Sequence, residues 1–303
     1  MQNIVNNFKE ILGIDRVREN VRMCEHTSFK IGGPVDLFLI PKDEDSLQKT
    51  ISLLIEENIP WFILGNGTNL LVKDKGFKGA AIFIGEDFAE FDIRDTMVTA
   101  GAGQLLTAVA SKAAQNGLSG LEFASGIPGS VGGALYMNAG AYGGEMFDVV
   151  TEAYVYSVVD RKFITVNKER MNLSYRDSVF RHESYVILRV NFGLCIGDID
   201  EISMKITDYK ERRTHSQPLN LPSAGSFFKR PEGAYAAKLI DEAGLKGRCC
   251  GGAQVSEKHA GFIVNTGGAT ADDVLTLMRT VQSEVMNKSG ILLQPEPEII
   301  GED

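Results

Sequence analysis

The chain has 303 residues, 44% of them hydrophobic and 23% charged, which is the composition of a folded protein long enough for two domains. Its formal charge of −9 argues against a general binder of nucleic acid or of anionic membranes, and no protein partner is evident. No apolar run approaches the roughly 18 residues of a membrane span, and the start lacks a secretory signal, so we expect a cytoplasmic enzyme.

The first part of the chain predicts a strand, a helix and a second strand. Residues 35–40 form an apolar run that Pro41 ends, which is typical of a strand. Residues 43–57 place their apolar side chains on one helical face and begin with acidic residues that suit the helix dipole. Residues 61–64 are strand-like and lead into glycines at 65 and 67, so this region predicts a βαβ unit.

The middle of the chain predicts a further mixture of strands and helices. Residues 97–99 are strand-like, and residues 104–115 have the apolar spacing of a helix. Residues 152–166 predict a hairpin that turns at 160–161, and residues 185–192 predict another strand.

The pattern changes near residue 198, where we place a domain boundary. Residues 199–213 and 234–243 predict helices, and residues 261–265 predict a strand. A long helix is expected over 271–288, ended by Gly290. We therefore expect an α+β protein whose domains are 1–197, in lobes of about 1–88 and 89–197, and 198–303.

Two glycine-rich segments are candidates for a nucleotide-binding site. Residues 65–69 (GNGTN) lack the third glycine of the dinucleotide fingerprint, and residues 126–144 hold seven glycines in nineteen positions. Glycine lets backbone N–H groups approach a pyrophosphate closely. The alternative is that both segments are only tight turns.

The cysteines and histidines do not predict a metal site. The adjacent Cys249 and Cys250 cannot form a CxxC knuckle, and no two histidines have HxxxH spacing. We expect the four cysteines to be reduced and no metal to be bound.

Nine short segments carry a resemblance to a known family. In chain order they are residues 27–33 (TSFKIGG), 65–71 (GNGTNLL), 126–133 (GIPGSVGG), 138–143 (NAGAYG), 174–180 (SYRDSVF), 222–229 (PSAGSFFK), 244–247 (GLKG), 251–253 (GGA) and 295–301 (PEPEIIG). Over nearly the whole chain, the sequence resembles the UDP-N-acetylenolpyruvoylglucosamine reductases, which make UDP-N-acetylmuramate for bacterial peptidoglycan. Only residues 230–243 separate two of the segments, so the chain resembles the short type without an additional tyrosine loop.

The resemblance implies a fold, a cofactor and a reaction. The fold is an FAD-binding domain of the vanillyl-alcohol-oxidase (PCMH) type in two α/β lobes, followed by a smaller C-terminal α/β substrate-binding domain. The activity is that of a UDP-N-acetylmuramate dehydrogenase, with non-covalent FAD, NADPH as hydride donor and UDP-N-acetylglucosamine enolpyruvate as substrate. The residues expected to bind FAD are Gly65, Asn66, Gly67, Thr68, Asn69, Leu70, Gly126, Gly129, Ser130, Gly133 and Arg213.

Three residues are expected to be catalytic. Reduction of the enolpyruvyl double bond leaves negative charge beside the substrate carboxylate, which calls for fixed donors and a proton source. The resemblance implies that Ser226 is the proton donor. Arg176 offers a planar, permanently charged fork for the carboxylate. The resemblance also assigns a role to Glu296, whereas Glu298 would point the opposite way in an extended chain and is expected to be solvated.

Substrate contacts are expected from Tyr175, Lys246 and His259, and from Arg230, which stands where other members of the family have Asn. Two alternative functions remain open from the sequence. One is another PCMH-type FAD oxidoreductase with a different substrate, and the other is a non-catalytic binder of flavin or a nucleotide sugar.

Overall fold

The computed structural model describes residues 2–302, and its strands and helices alternate along the chain as in an α+β protein. The helices are α1 Gln2–Leu12, α2 Glu44–Glu56, α3 Leu106–Gln115, α4 Val131–Tyr136, α5 Met146–Val149, α6 Lys168–Met171, α7 Ile199–Ser216, α8 Ala236–Glu242 and α9 Ala271–Ser289. Short 3₁₀ turns lie at Ile14–Arg16, Met23–Glu25, Glu86–Phe88, Glu122–Gly126 and Val179–Arg181.

The strands follow the same chain-order numbering. They are β1 Val17–Arg22, β2 Pro34–Leu39, β3 Trp61–Leu64, β4 Leu70–Val72, β5 Phe77–Phe83, β6 Phe91–Arg94, β7 Met97–Gly101, β8 Leu118–Ser119, β9 Gly140–Ala141, β10 Gly144–Glu145, β11 Val150–Ser157, β12 Lys162–Asn167, β13 Tyr185–Gly193, β14 Cys195–Ile196, β15 Cys249–Cys250, β16 Ala253–Val255, β17 Ile263–Asn265 and β18 Glu298–Ile300.

The chain forms two compact units, and each is discontinuous in sequence. The first contains residues 1–19, 37–66 and 79–212, and the second contains residues 20–36, 67–78 and 213–303. The sequence pattern predicts a single division at 197/198. The structure differs because β4 pairs in parallel with β18, which joins an early segment to the C-terminal one.

The largest sheet of the first unit has the order β12–β11–β13–β7–β6, and every neighbouring pair in it is antiparallel. The predicted hairpin is confirmed as β11 and β12, joined by a turn in which Arg161 has a φ of 51°. The inward side chains of this sheet, among them the fully buried Tyr156 and Phe192, belong to one apolar core.

The predicted βαβ unit is present with one difference. A four-stranded sheet has the order β1–β2–β5–β3, so β5 lies between the two strands that α2 connects. Strands β3 and β5 are parallel, with Trp61 opposite Ala80. The sequence pattern does not predict β5, because the glycine at position 79 interrupts the apolar run.

Helix α2 begins and continues as its sequence predicts. The Asp43 carboxylate accepts a hydrogen bond from the Ser46 amide at 2.8 Å, and the Asp43 amide donates to the Ser46 hydroxyl at 3.1 Å. This capping box satisfies N–H groups that have no partner inside the helix. One turn later, Leu47 and Ile51 are fully buried in the core.

The second unit has its own core and small sheets. Strands β15, β16 and β17 form an antiparallel sheet. Helix α9 buries Val274, Leu277, Val281 and Val285, as its apolar spacing predicts, and ends at Gly290, whose φ of 72° is left-handed. The same core contains Phe29 and Phe227, whose ring centroids are 6.3 Å apart.

Within residues 2–302, no helix is long and apolar enough to span a bilayer. The same residues contain no group of three His, Cys, Asp or Glu side chains arranged as metal ligands. All four cysteines are outside disulfide bonds.

Because Asp43 caps α2, we expect Asp43→Ala to lower the free energy of unfolding by about 1 kcal/mol. Asp45→Ala is the matched control, since Asp45 is exposed in the same turn and forms only an ion pair with Lys49 worth at most about 0.5 kcal/mol. Urea denaturation of both variants measures the difference. Equal effects of the two substitutions would contradict a role for the cap.

Candidate active site

Parts of the two predicted cofactor segments lie together in the first unit. A Cβ built on Gly65, which follows β3, would lie 2.4 Å from the Ser130 hydroxyl oxygen. The side-chain amide of Asn66 donates a hydrogen bond to the backbone carbonyl of Pro128. Residues about 60 positions apart in sequence are therefore in direct contact, and a side chain at position 65 would require the Ser130 hydroxyl to move.

The segment that contains Gly129 and Ser130 is held in an extended shape. Its residues 129–132 exchange backbone hydrogen bonds with residues 102–106 at 2.8–3.0 Å. The Ser130 hydroxyl caps α4 by accepting from the Gly133 amide at 3.3 Å. The sequence predicted a glycine loop here, and the structure shows an extended edge that turns directly into a helix.

A buried carboxylate precedes this segment. Glu122 accepts hydrogen bonds from the Ser119 hydroxyl at 2.8 Å and the Gly120 amide at 2.7 Å, and Lys205 lies 3.5 Å away. Burial alone would raise the pKa of the Glu122 carboxyl, but these hydrogen bonds and the charge of Lys205 outweigh burial and lower it. Glu122 thus stays ionised and fixes the start of the segment.

Arg176 lies in a tight turn of the first unit. Ser174 and Asp177 pair across the turn, each amide donating to the other's carbonyl at 3.1 Å. Arg176 itself has a φ of 55°. Its guanidinium donates to the Gly140 carbonyl at 3.4 Å and lies 5.0 Å from the ring centroid of Tyr175.

Two buried side chains that the sequence analysis did not assign hold this turn. The Asn138 amide donates to the Ser174 carbonyl at 2.9 Å, and the Ser178 hydroxyl donates to the Tyr136 carbonyl at 2.7 Å. Both residues are at most 1% exposed. Each belongs to a segment singled out in the sequence, but no local pattern indicates that these segments meet.

Ser226 and Glu296 lie on paired segments of the second unit. The Glu296 amide donates to the Phe227 carbonyl at 2.9 Å, and the Phe227 amide donates to the Gly261 carbonyl at 2.7 Å. Phe228 and Pro295 form the neighbouring antiparallel bridge. The structure therefore brings together the backbones of two of the three predicted catalytic residues, and both residues are half-buried.

The rest of the first glycine segment lies in the second unit, beside Glu296. The Asn69 amide side chain donates to the Glu296 carbonyl at 3.3 Å, and the Glu298 amide donates to the Asn69 carbonyl at 2.9 Å. Gly67 has a φ of 61°, and a Cβ there would lie 2.1 Å from the His26 carbonyl oxygen. Thr68 and Leu70 are half-buried on either side of Asn69.

The expectation that Glu298 is solvated is wrong. Glu298 begins β18, which pairs with β4, and its Oε1 atom is buried. The residue as a whole is half-buried, and alternation along one strand does not reveal what packs around it.

His259 and Lys246 interact electrostatically in the second unit. Burial, aided by the positive charge of Lys246, holds the pKa of the His259 imidazole below its ordinary value. Nδ1 accepts a hydrogen bond from the Gly261 amide at 3.2 Å, so the neutral ring carries its proton on Nε2. Lys246 also forms an ion pair with Asp241 at 2.7 Å.

The remaining predicted residues are more accessible. Tyr175 is 48% exposed, and the exposed Arg230 has its guanidinium 4.1 Å from the ring centroid of Tyr235. Arg213 is half-buried in the last turn of α7. Gly126 ends the 3₁₀ turn that begins at Glu122.

Known proteins with similar sequences match over the full length. A UDP-N-acetylenolpyruvoylglucosamine reductase from Clostridium botulinum (strain Hall) is 46% identical over 100% of this chain and 98% of its own length. One from Caldanaerobacter subterraneus subsp. tengcongensis is 48% identical over 99% of this chain and 98% of its own. The chain belongs to the UDP-N-acetylenolpyruvoylglucosamine reductase family. The resemblance stated from the sequence is confirmed.

Domain and structure comparisons agree with this family. Residues 35–160 match the family model of an FAD binding domain, and residues 217–300 match that of the UDP-N-acetylenolpyruvoylglucosamine reductase C-terminal domain. The crystal structure of the reductase from Thermus caldophilus matches with a TM-score of 0.83 and 36% identity, covering 94% of this chain and 98% of that one. The predicted α+β fold class is confirmed, and the protein is a flavoprotein oxidoreductase.

The contacts of Gly65 fit a bound FAD. Gly65 and the Gly129–Gly133 segment meet at Ser130, where side chains are small or absent. Such loops offer backbone N–H groups to a diphosphate, which suits an acidic protein without the dinucleotide fingerprint.

We expect Gly65→Ala to fold but to retain less FAD, because the new methyl group would collide with the Ser130 hydroxyl. Adding Ser130→Ala removes the 2.4 Å contact and leaves only one at 3.5 Å, so the double variant should regain flavin. The ratio of flavin to protein absorbance measures both. Full flavin content in Gly65→Ala would contradict the proposed fit.

We expect His259 to make stability depend on pH below its ordinary pKa of about 6.5. Because its folded-state pKa is lowered, the unfolded chain takes up the proton first as pH falls. The contribution of His259 to the free energy of unfolding is therefore fully present above pH 6.5 and is lost as the pH falls through the folded-state pKa of His259. Melting temperatures from pH 7.5 to 5 should decrease less in His259→Gln than in wild type, with the exposed His215→Gln as control. Parallel wild-type and His259→Gln profiles would contradict this assignment.

Proposed function

We propose that this chain reduces the enolpyruvyl group of UDP-N-acetylglucosamine enolpyruvate to give UDP-N-acetylmuramate, the peptidoglycan precursor, in the cytoplasm. NADPH is the hydride donor, and bound FAD supplies hydride-transfer chemistry. The main support is a sequence identity of 44–48%, over the full length, to reductases of this name. The paired backbone segments that carry Ser226 and Glu296 add support from the site itself.

The FAD-binding residues divide between two kinds of contact. Gly65, Asn66, Gly126, Gly129 and Ser130 are assigned to offer backbone N–H groups to the diphosphate. Gly133, whose amide is bonded to the Ser130 hydroxyl, leaves space beside them because it has no side chain. Gly67, Thr68, Asn69 and Leu70 continue the same segment, in which Asn69 is bonded to the Glu296 carbonyl. Arg213 is the cation we assign to the electron-rich part of the flavin.

Arg176 binds the carboxylate of the enolpyruvyl group. Its guanidinium is charged at every working pH and presents a planar fork that matches a carboxylate. As the double bond is reduced, negative charge spreads from the adjacent carbon onto that carboxylate. A fixed cation there stabilises the charged species more than the substrate, which is what accelerates the reaction.

Ser226 donates the proton that completes the reduction. It follows Gly225, whose φ of 78° is left-handed and favours glycine at that position. A serine hydroxyl is a weak acid, so it needs a partner that stabilises its conjugate base or resupplies the proton. Glu296 lies on the segment that pairs with Phe227, the residue after Ser226, and we assign this supporting role to the Glu296 carboxylate.

The nucleotide sugar is anionic, whereas the protein has a net charge of −9, so local cations must provide attraction. Lys246 and Arg230 supply positive charge in the second unit. The neutral His259 supplies an Nε2–H donor, and Tyr175 supplies a donor and an exposed ring beside Arg176. An ion pair already holds Lys246 to Asp241, so a substrate phosphate would compete with that carboxylate.

The function is tested by separating the two half-reactions. Purified protein should be yellow, and anaerobic NADPH should bleach its flavin absorbance. Addition of the enolpyruvyl nucleotide sugar should restore the colour and form the lactyl ether. Reoxidation by oxygen but not by the enolpyruvyl nucleotide sugar would indicate a different oxidoreductase. Failure of NADPH to bleach the flavin would indicate a binding protein.

We expect Ser226→Ala to bind FAD and accept hydride from NADPH at the wild-type rate, because only the proton donor is removed. Reoxidation by substrate should slow by about 10²–10⁴-fold, the range for general acid catalysis. Stopped-flow absorbance measures each half-reaction. Ser223→Ala, three residues earlier, is the matched control. Near-normal reoxidation of Ser226→Ala would contradict the proton-donor role.

A further inference from the structure

Asn138 is a fully buried polar residue in the first unit that links two segments far apart in sequence. Its side-chain amide donates to the Ser174 carbonyl at 2.9 Å, and its side-chain carbonyl accepts from the Phe147 amide at 2.9 Å. It is 0% exposed and has a φ of 42°. A buried amide with both ends bonded fixes the distance between the groups it joins.

The bond to Ser174 acts on the turn that carries Arg176. The Ser174 carbonyl also accepts from the Asp177 amide, and the Ser174 amide donates back to Asp177. Arg176 is one of the two residues between them. Since that turn contains only two residues between its paired ends, a shift of the Ser174 carbonyl would rotate the Arg176 backbone.

The segment of Asn138 also holds the Arg176 side chain. Gly140 lies two residues after Asn138, and its carbonyl accepts from the Arg176 guanidinium at 3.4 Å. Gly140 is in turn paired with Glu145 in a short hairpin. One short segment therefore fixes both the backbone and the guanidinium of Arg176.

We propose that Asn138 is a positioning residue for the reduction step, holding Arg176 where the substrate carboxylate must lie; this rests on the function proposed above. The residue type follows from the geometry. The left-handed φ favours Asn, Asp or Gly, and of these only Asn offers a neutral donor and an acceptor together. Asp would retain the acceptor for Phe147 but not the amide donor for Ser174.

The first experiment compares half-reactions in Asn138→Asp and in a matched control. We expect wild-type flavin reduction by NADPH, but reoxidation by substrate slowed about 10- to 100-fold, the scale of a misplaced catalytic group. Asn191→Asp is the control, because the Asn191 side chain on β13 also donates and accepts, to Glu152 and from Thr99. Equal slowing in both variants would mean that a general loss of stability is responsible.

The second experiment is a double-mutant cycle with Arg176→Ala, which distinguishes positioning from a structural role. If Asn138 acts through Arg176, adding Asn138→Asp to Arg176→Ala should slow reoxidation less than about twofold further. Multiplicative effects of the two substitutions would overturn the proposal. If Asn138→Asp does not fold, Asn138→Gly replaces it, since glycine accepts the left-handed φ without introducing a charge.

The third experiment does not depend on activity. Hydrogen exchange of peptides covering residues 172–178 should be faster in the Asn138 variants than in wild type and unchanged in Asn191→Asp. Unchanged exchange at this turn would overturn the proposal. A wild-type enzyme that the enolpyruvyl nucleotide sugar cannot reoxidise would instead contradict the proposed function, while the exchange result would still report on the turn.

Discussion

The burial of Phe227 is the constraint on which the arrangement of the second unit depends. Its ring is fully buried against Phe29 and Phe228, and its amide and carbonyl are bonded to Gly261 and Glu296. A buried backbone whose polar groups are both satisfied has little freedom to move. Ser226 is the residue immediately before it, so the position of the proposed proton donor follows from packing of its neighbour.

In the first unit, buried side-chain hydrogen bonds hold the turn that carries Arg176. The Arg176 turn receives one bond from Asn138, and Ser178 anchors the following residues to the Tyr136 carbonyl. These side chains donate to backbone carbonyls in and beside the turn. Arg176 can therefore be held in a strained, left-handed conformation without belonging to a regular element.

Elements with a local signal were predicted well from the sequence. The start of α2 followed from Asp43 and the apolar spacing after it, and the end of α9 followed from Gly290. The hairpin of β11 and β12 turns at residues 160–161, as predicted. In each of these cases the determining contacts lie within a few residues along the chain.

Pairings between distant segments could not be predicted in this way. Nothing in residues 70–72 indicates that they pair with residues 298–300, so the burial of Glu298 was missed. The contact of Asn138 with Ser174 likewise joins two loops with no periodic pattern. The candidate residues themselves came from family motifs. A motif identifies which residues matter, but it does not say which of them are in contact in the folded chain.

Burial also determines what kind of recognition His259 can provide. A protonated imidazole would add a second positive charge beside that of Lys246, but burial and that same lysine lower the pKa of His259 and favour the neutral ring. Because Nδ1 is engaged by the Gly261 amide, only Nε2–H remains to face a ligand. In the function proposed above, two tasks are therefore separate: Lys246 and Arg230 are the cations assigned to the anionic nucleotide sugar, and His259 is assigned as a neutral hydrogen-bond donor.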